Sequence, residues 1–300
     1  MIDVLRTGVQ TWECDQMGHM NVRHYFAHAN RGLAVLALEL GLPPSQLRSQ
    51  GLVLRARDQH VRFMRELRPG TYFSIRAGVI TASEERLSIY EEMRFVNKPE
   101  PAASVLSEVT LVEAATGRAV PFPASVLERA RALETVPPAE TAPRGIERVT
   151  PRPPPMHRDA LALGLYGAYL APVQVEDCDA YGAMHEAAFM ARVSDGIGHY
   201  FQQLRGERLQ NIGGAALEYR YVFHERPMLG DVIEVRSALK GLGNKTSHIC
   251  HWIFNLETGR CAATSEAVAV SFDLTTRKAI EIPAEARAVM EPRIIHGLSV

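Results

Sequence analysis

Two short segments carry the residues best suited to chemistry. Cys14-Asp15-Gln16-Met17-Gly18-His19-Met20 and Cys178-Asp179-Ala180-Tyr181-Gly182-Ala183-Met184 share Cys, Asp, Gly and Met in one order, 164 positions apart. In each, an aspartate stands just before a run with helical periodicity. A carboxylate placed there can attack an electrophilic carbon or take a proton from water. The unpaired N–H groups at the start of the following helix can steady an oxygen that turns negative. Residues 20–23 and 184–187 are the expected donors. Gly18 and Gly182 would let the backbone approach a ligand closely. Asp15 and Asp179 are therefore the leading catalytic candidates, although an Asp in this position also suits a cap or a turn.

The neighbours divide between chemistry and structure. His19 could orient Asp15 or line a cleft, and a half-buried hydrogen-bonded role fits it equally well. Asn21 suits a helix cap better than a water site, and His185 is a weaker version of the same case. Tyr25, Phe189 and Trp12 read as core. Cys14 and Cys178 precede the aspartates by one residue and, on an alternating strand, would face the other way. They read as packing residues and not as nucleophiles.

The elements that must position these residues repeat as well. Phe63, Gly70 and Pro123 recur as Phe223, Gly230 and Pro283, each 160 residues on. A repeat this long is a duplicated domain, since solenoid units run to about 20–50 residues. Each copy opens on a short strand, at residues 9–12 and 173–176. A long helix is expected over 24–40, with apolar Phe26, Ala29, Leu33, Leu36 and Leu40 at helical spacing. Gly41 and Pro43-Pro44 end it. Its counterpart runs over about 187–204 and stops at Gly206, although Gly196 and Gly198 weaken that helix. Alternating strands follow at 72–77, 87–90 and 105–112, and at 231–236, 248–254 and 264–272. Short terminal strands precede Pro123 and Pro283. One early helix followed by antiparallel strands reads as α+β, with each sheet wrapped around its helix. Domains are expected at 1–133 and 161–300, joined by a Pro-rich linker at 134–160.

Composition excludes several classes. A net charge of -1 argues against a nucleic-acid binder, so any anion site must be a local patch. Four cysteines without a CxxC pair give neither a disulfide framework nor a zinc motif. The start MIDVLRTGVQ is unlike a signal peptide, and no run of about 18 apolar residues could span a membrane. The cytoplasm is the expected location. No P-loop, GxGxxG or GxSxG element is present, which argues against nucleotide, dinucleotide and serine-hydrolase readings.

Together, the strand, the CDxxGxM loop, the long helix, the Gly-Asp turn and the antiparallel strands resemble the hotdog-fold acyl-CoA thioesterases. The resemblance is nearest to the 4-hydroxybenzoyl-CoA thioesterase branch. Asp179 in Asp177-Cys178-Asp179-Ala180-Tyr181-Gly182 and Asp15 in the stretch from Glu13 to Asn21 sit where that branch places its catalytic Asp. Gly18-His19-Met20-Asn21 is similar to the GHVN segment of that superfamily, whereas Ala183 and His185 depart from it in copy two. The resemblance implies hydrolysis of an acyl-CoA to free acid and CoA, with Asp15 and Asp179 as nucleophile or general base. His19 and Asn21 would assist, and Gly18, Met20, Val22, Gly182 and His185 would line the substrate site. It also implies two tandem hotdog domains that form a dimer-like pair within one chain, with a cleft for each copy. No metal and no separate cofactor are implied, because CoA arrives as part of the substrate.

CoA phosphates require cations. Arg55, Arg57, His60, Arg62, Arg65 and Arg68 crowd one stretch against only Asp58 and Glu66. Arg62 and Arg65 are the phosphate candidates, and a charged strand edge is the alternative for each. Copy two carries the scattered set Arg220, His224, Arg226, Lys240 and Lys245. Two other readings stay open. A hotdog dehydratase or hydratase would use an Asp and a His in a D-x4-H pattern, but the spacing here is D-x3-H from Asp15 and D-x5-H from Asp179. A non-catalytic acyl-CoA-binding protein would need an output domain, and none is visible. If one copy has lost its chemistry, copy one, with His19 and Asn21, is the active copy. Exposed sheet faces predict further association of chains.

Overall fold

The computed structural model describes residues 1–98, 100–205 and 211–300. The chain divides into two compact units, Met1–Ala142 and Pro143–Val300. Unit 1 contains β1 (Ile2–Gly8), α1 (Val22–Glu39), α2 (Pro44–Ser49), β2 (Leu52–Phe63), β3 (Tyr72–Ala82), β4 (Leu87–Phe95), β5 (Pro101–Glu113), β6 (Ala119–Val120) and α3 (Ala124–Ala132). Its strands pair antiparallel in the order β1-β3-β4-β5-β2, with β6 on β5. Unit 2 contains α4 (His157–Ala162), β7 (Tyr166–Pro172), α5 (Glu186–Arg205), β8 (Ile212–Phe223), β9 (Val232–Leu242), β10 (Thr246–Asn255), β11 (Cys261–Asp273) and α6 (Ala284–Met290). Its order, β7-β9-β10-β11-β8, repeats that of unit 1 strand for strand. This is the expected α+β arrangement of one long helix and an antiparallel sheet, present twice.

Each long helix packs across its own sheet, from the edge strand to the Tyr25–Phe63 ring contact with β2 and the Phe189–Phe223 ring contact with β8. α1 buries Tyr25, Phe26, His28, Ala29, Gly32, Leu36 and Ala37, a stripe with a spacing of three to four, against β1 and β3. α5 lies on β7 and β9. Two equivalent glycines permit the close approach. A Cβ on Gly32 would stand 2.6 Å from Glu91 Oε1, and one on Gly196 would stand 2.8 Å from the Ala168 carbonyl oxygen. Gly196 thus sits inside a continuous helix because contact with β7 leaves no room for a side chain. The expected stop at Gly206 lies outside the described residues.

Several expectations need correction. The opening strands are β1 and β7, and residues 11–13 and 175–177 form 3-10 turns. Glu13 and Asp177 cause this by accepting the N–H groups of Gln10 (2.9 Å) and Gln174 (3.2 Å), which curls the chain out of the strand. Trp12 is 77% exposed on the first turn and is not core. β2 and β8 are full strands that the charged side chains concealed. In β2, Arg55, Asp58, Gln59 and His60 are all buried. Helices α3 and α6 follow Pro123 and Pro283, which stand at their N-caps.

The part of the Pro-rich stretch that belongs to unit 2 is tied down there. The Glu218 carboxylate accepts from the N–H groups of Arg144, Gly145 and Ile146 at 2.8–3.0 Å. Fully buried Arg220 donates to the carbonyls of Glu147 and Val149. Among the described residues, no helix is long and apolar enough to cross a membrane.

Candidate active site

In unit 1 the motif forms a tight hairpin ahead of α1. A bridge between Cys14 and Met20 closes it. The Asp15 N–H donates to the His19 carbonyl (3.1 Å), and the Gly18 N–H donates to the Asp15 carbonyl (3.0 Å). Gly18 has φ +73, a left-handed conformation that a side chain would strain. Asp15 Oδ1 accepts the Met17 N–H at 2.8 Å, which fixes the carboxylate. Its other oxygen, Oδ2, stands 3.6 Å from His19 Nε2. His19 Nδ1 stands 3.3 Å from Glu66 Oε1. Arg68 in turn donates to Glu66 Oε2 at 3.0 and 3.3 Å. Asp15, His19 and Glu66 therefore form a carboxylate–imidazole–carboxylate chain with all three side chains partly buried.

The helix mouth lies beside this chain, and most of its expected donors are occupied. The Met20 N–H donates to the Leu67 carbonyl (2.7 Å), and the Asn21 N–H donates to the Glu13 carbonyl (2.8 Å). Asn21 Oδ1 caps the helix by accepting the Arg23 N–H at 3.0 Å, a bond worth about 1 kcal/mol. Of residues 20–23, only Val22 has an N–H with no acceptor among the described residues. Beneath the hairpin, Glu13 Oε1 lies 3.1 Å from His28 Nε2 and 3.7 Å from His24 Nδ1. Burial, aided by Arg23, pushes His24 down to about 4, so its ring is neutral. Burial also lowers His28, against the opposing pull of Glu13.

Unit 2 keeps the backbone and changes the chemistry. Cys178 bridges Met184, the Asp179 N–H donates to the Ala183 carbonyl (2.9 Å), and the Gly182 N–H donates to the Asp179 carbonyl (3.0 Å). Asp179 Oδ1 accepts from Tyr181 and Ala183 at 2.8 and 3.2 Å. His185 Nδ1 caps α5 by accepting the Ala188 N–H (3.1 Å), the role Asn21 has in unit 1. At matching positions, however, Ala183 replaces His19, Arg226 replaces Glu66 and Glu186 replaces Val22. Arg226 bonds Glu186 at 2.8 Å and lies 4.6 Å from the Phe223 ring centre. A salt bridge thus occupies the mouth of α5, where α1 presents an apolar Val. Below it, Asp177 and Arg192 (3.5 Å) stand where unit 1 has Glu13 and His28.

The remaining candidates fall mainly to structure. Cys14 and Cys178 lie on the closing bridges and not on a strand. Their thiols face the carbonyls of Gln10 and Gln174. Burial, reinforced by Asp15 and Glu13 around Cys14 and by Asp177 and Asp179 around Cys178, raises both thiols, which suits them poorly as nucleophiles. Met20 is fully buried, as are Tyr25 and Phe189. The Arg-rich stretch is not gathered at one point. Alternation along β2 divides it between the sheet faces, Arg55 and His60 are buried, and Arg65 is exposed. Arg62 donates to the carbonyls of Glu140 and Ala142, a bond that serves the fold. Lys240 is paired with Glu266 at 2.7 Å. In the sequence Glu66 reads only as an acid among arginines. Aligning the two copies at an offset of 160 would have exposed it, because Arg226 takes its place.

The sequence pattern of the thioesterase-like superfamily matches residues 9–130 and again 173–290. The chain belongs to that superfamily, and thioester hydrolysis is the activity this membership carries. A betainyl-CoA thioesterase of Pseudomonas aeruginosa is 26% identical over 142 residues, which is 47% of this chain and 88% of the relative. A 12:0-ACP thioesterase from Umbellularia californica has a TM-score of 0.67 at 10% identity, covering 89% of this chain and 93% of that one. An acyl-ACP thioesterase from Bacteroides thetaiotaomicron has a TM-score of 0.65 at 9% identity, covering 88% and 96%. At these identities the structural likeness is one of fold, and the fold is the hotdog.

Proposed function

We propose that the Asp15 hairpin of unit 1 hydrolyses an acyl-CoA thioester, and that the equivalent hairpin of unit 2 is structural. The observation that carries this reading is the Asp15–His19–Glu66 chain, present in one copy and replaced by Ala183 and Arg226 in the other. Asp15 Oδ1 is held by Met17, which leaves Oδ2 for chemistry. As general base, Oδ2 takes a proton from water while the hydroxide oxygen bonds to the thioester carbon. The carbonyl electrons move onto oxygen, and the Val22 N–H stabilises that charge. A single well-placed donor of this kind is worth about 3 kcal/mol. The C–S bond then breaks and the CoA thiolate leaves, with no strong acid needed. As nucleophile, Oδ2 would instead bond to the carbon and give a mixed anhydride, with His19 taking the proton from the water that cleaves it. In both routes Glu66 orients the His19 ring.

The relatives' names support thioester substrates without choosing between CoA and carrier-protein esters. The choice of CoA rests on the betainyl-CoA relative. Release of thiol, followed across short, long, aromatic and polar acyl-CoAs and acyl-carrier-protein esters, tests the proposal. Thiol release from at least one acyl-CoA is the expected result. No thiol from any acyl-CoA, or loss of enoyl absorbance without thiol, would overturn it.

A further inference from the structure

Unit 1 has an open groove of about 720 Å³ at the ends of β1, β3 and β4, with none of the hairpin residues 14–20 in its walls. Its walls include Arg6, Tyr72, Arg94, Val96 and Lys98. Register aligns Arg6 with Ser74 and Ser74 with Arg94, so two guanidiniums flank a hydroxyl across three strands. Asp3 and Glu92 partly offset them, at 2.6 and 3.1 Å. Lys98 lies 4.9 Å over the Phe95 ring and has no carboxylate partner among the described residues. Tyr72 is 72% exposed, an unusual state for an aromatic ring.

We propose that this groove binds the adenosine 3′,5′-bisphosphate end of coenzyme A, with Tyr72 stacking on the base and Arg6, Arg94 and Lys98 holding phosphate. The inference rests on the thioester reading for its purpose, though not for its test. Three observations support it. The volume is that of a small-molecule site, where pockets run to about 300–1,000 Å³. The chemistry pairs a ring for a base with guanidinium and ammonium groups for phosphate. The duplication supplies an internal control. At the matching places unit 2 has Leu170 for Arg6, Val232 for Tyr72, Phe254 for Arg94 and Thr258 for Lys98. All three cations and the exposed ring are therefore confined to the copy that keeps Asp15, His19 and Glu66. A sheet edge that merely needed charge for solubility would have no reason to follow the hairpin.

The placement suits a long substrate. Gly8 lines the groove and is seven residues before Asp15. A span of that length cannot exceed about 25 Å even when fully extended. A flexible phosphopantetheine arm running from the groove to the hairpin would bring the thioester to Asp15.

Two measurements on the full chain test the proposal. The first is calorimetric titration with adenosine 3′,5′-bisphosphate of wild type, Tyr72→Ala, Lys98→Glu and a control, Leu170→Ala. Binding that weakens about tenfold in the first two variants and not in the control is the expected result. The second compares KM for an acyl-CoA with KM for the same acyl group on pantetheine, which lacks the nucleotide. Tyr72→Ala and Lys98→Glu should raise the first about tenfold and leave the second where it was. No bisphosphate binding, or an equal rise for both esters, overturns the inference. A rise confined to acyl-carrier-protein esters overturns it as well and points to a protein on this face. If no ester is hydrolysed but the bisphosphate binds and the variants lose it, the inference stands and the hydrolytic reading falls.

Discussion

Glu66 gives the sharpest test at the scale of single residues. It touches His19 and Arg68, and no direct contact with Asp15 is required of it. Glu66→Gln should lower kcat about tenfold by loosening the imidazole, with the thermal midpoint unchanged within about 2 °C. Steady-state kinetics beside a melting curve checks it, and an unchanged kcat would remove Glu66 from the site. Asp15, His19 and Asn21 were legible because one short motif contains them. Glu66 was not, because it joins His19 across 47 residues of chain. Arg62 misled for a related reason, since a guanidinium bonded to two carbonyls reads in a sequence like one waiting for phosphate.

Among the elements, β4 and β10 bury titratable groups of opposite kind at matching places, Glu91 and His251. Glu91 Oε1, against α1 at Gly32, has no hydrogen-bond partner among the described residues. Burial raises its carboxyl well above the usual range. The unfolded chain therefore releases this proton first as pH rises. The contribution is fully present below the unfolded pKa and is lost as pH climbs towards the folded value. Glu91→Gln should accordingly stabilise the protein more at pH 8 than at pH 5 in denaturant titrations, and equal gains at both would contradict this. His251 has the opposite sign. Burial pushes it down to about 3, while His24 and His224 fall to about 4. Each contribution is present above the unfolded value near 6.5 and is lost as pH falls through that window. Stability should therefore drop between about pH 6.5 and pH 4, and His251→Gln should make that drop shallower, as read by melting curves across the range. The long helices and most strands were legible from periodicity. β2 and β8 were not, because buried Arg55, His60 and Arg220 break the apolar pattern that marks a strand. The 3-10 turns depend on a carboxylate three residues ahead of the amide it captures, and alternation alone does not show that.

At the scale of the whole molecule, the duplication was plain in the sequence, and the divergence between copies needed side-chain contacts to interpret. Ala183, Glu186 and Arg226 are three separate substitutions until the structure joins the last two in a salt bridge at the mouth of α5. Arg226→Ala should destabilise unit 2 by about 3 kcal/mol, because buried Glu186 would lose its ion pair with the guanidinium. Activity of the chain should survive wherever the variant stays folded, which chemical denaturation and thiol release together would check.

The most direct measurement compares thiol release by Asp15→Asn and Asp179→Asn with that of wild type, on one acyl-CoA that the wild type turns over. Asp15→Asn should lose about 10³-fold in kcat. Asp179→Asn keeps an oxygen to accept the Tyr181 N–H and should stay within about twofold of wild type. Loss of turnover in Asp179→Asn with full activity in Asp15→Asn would contradict the account.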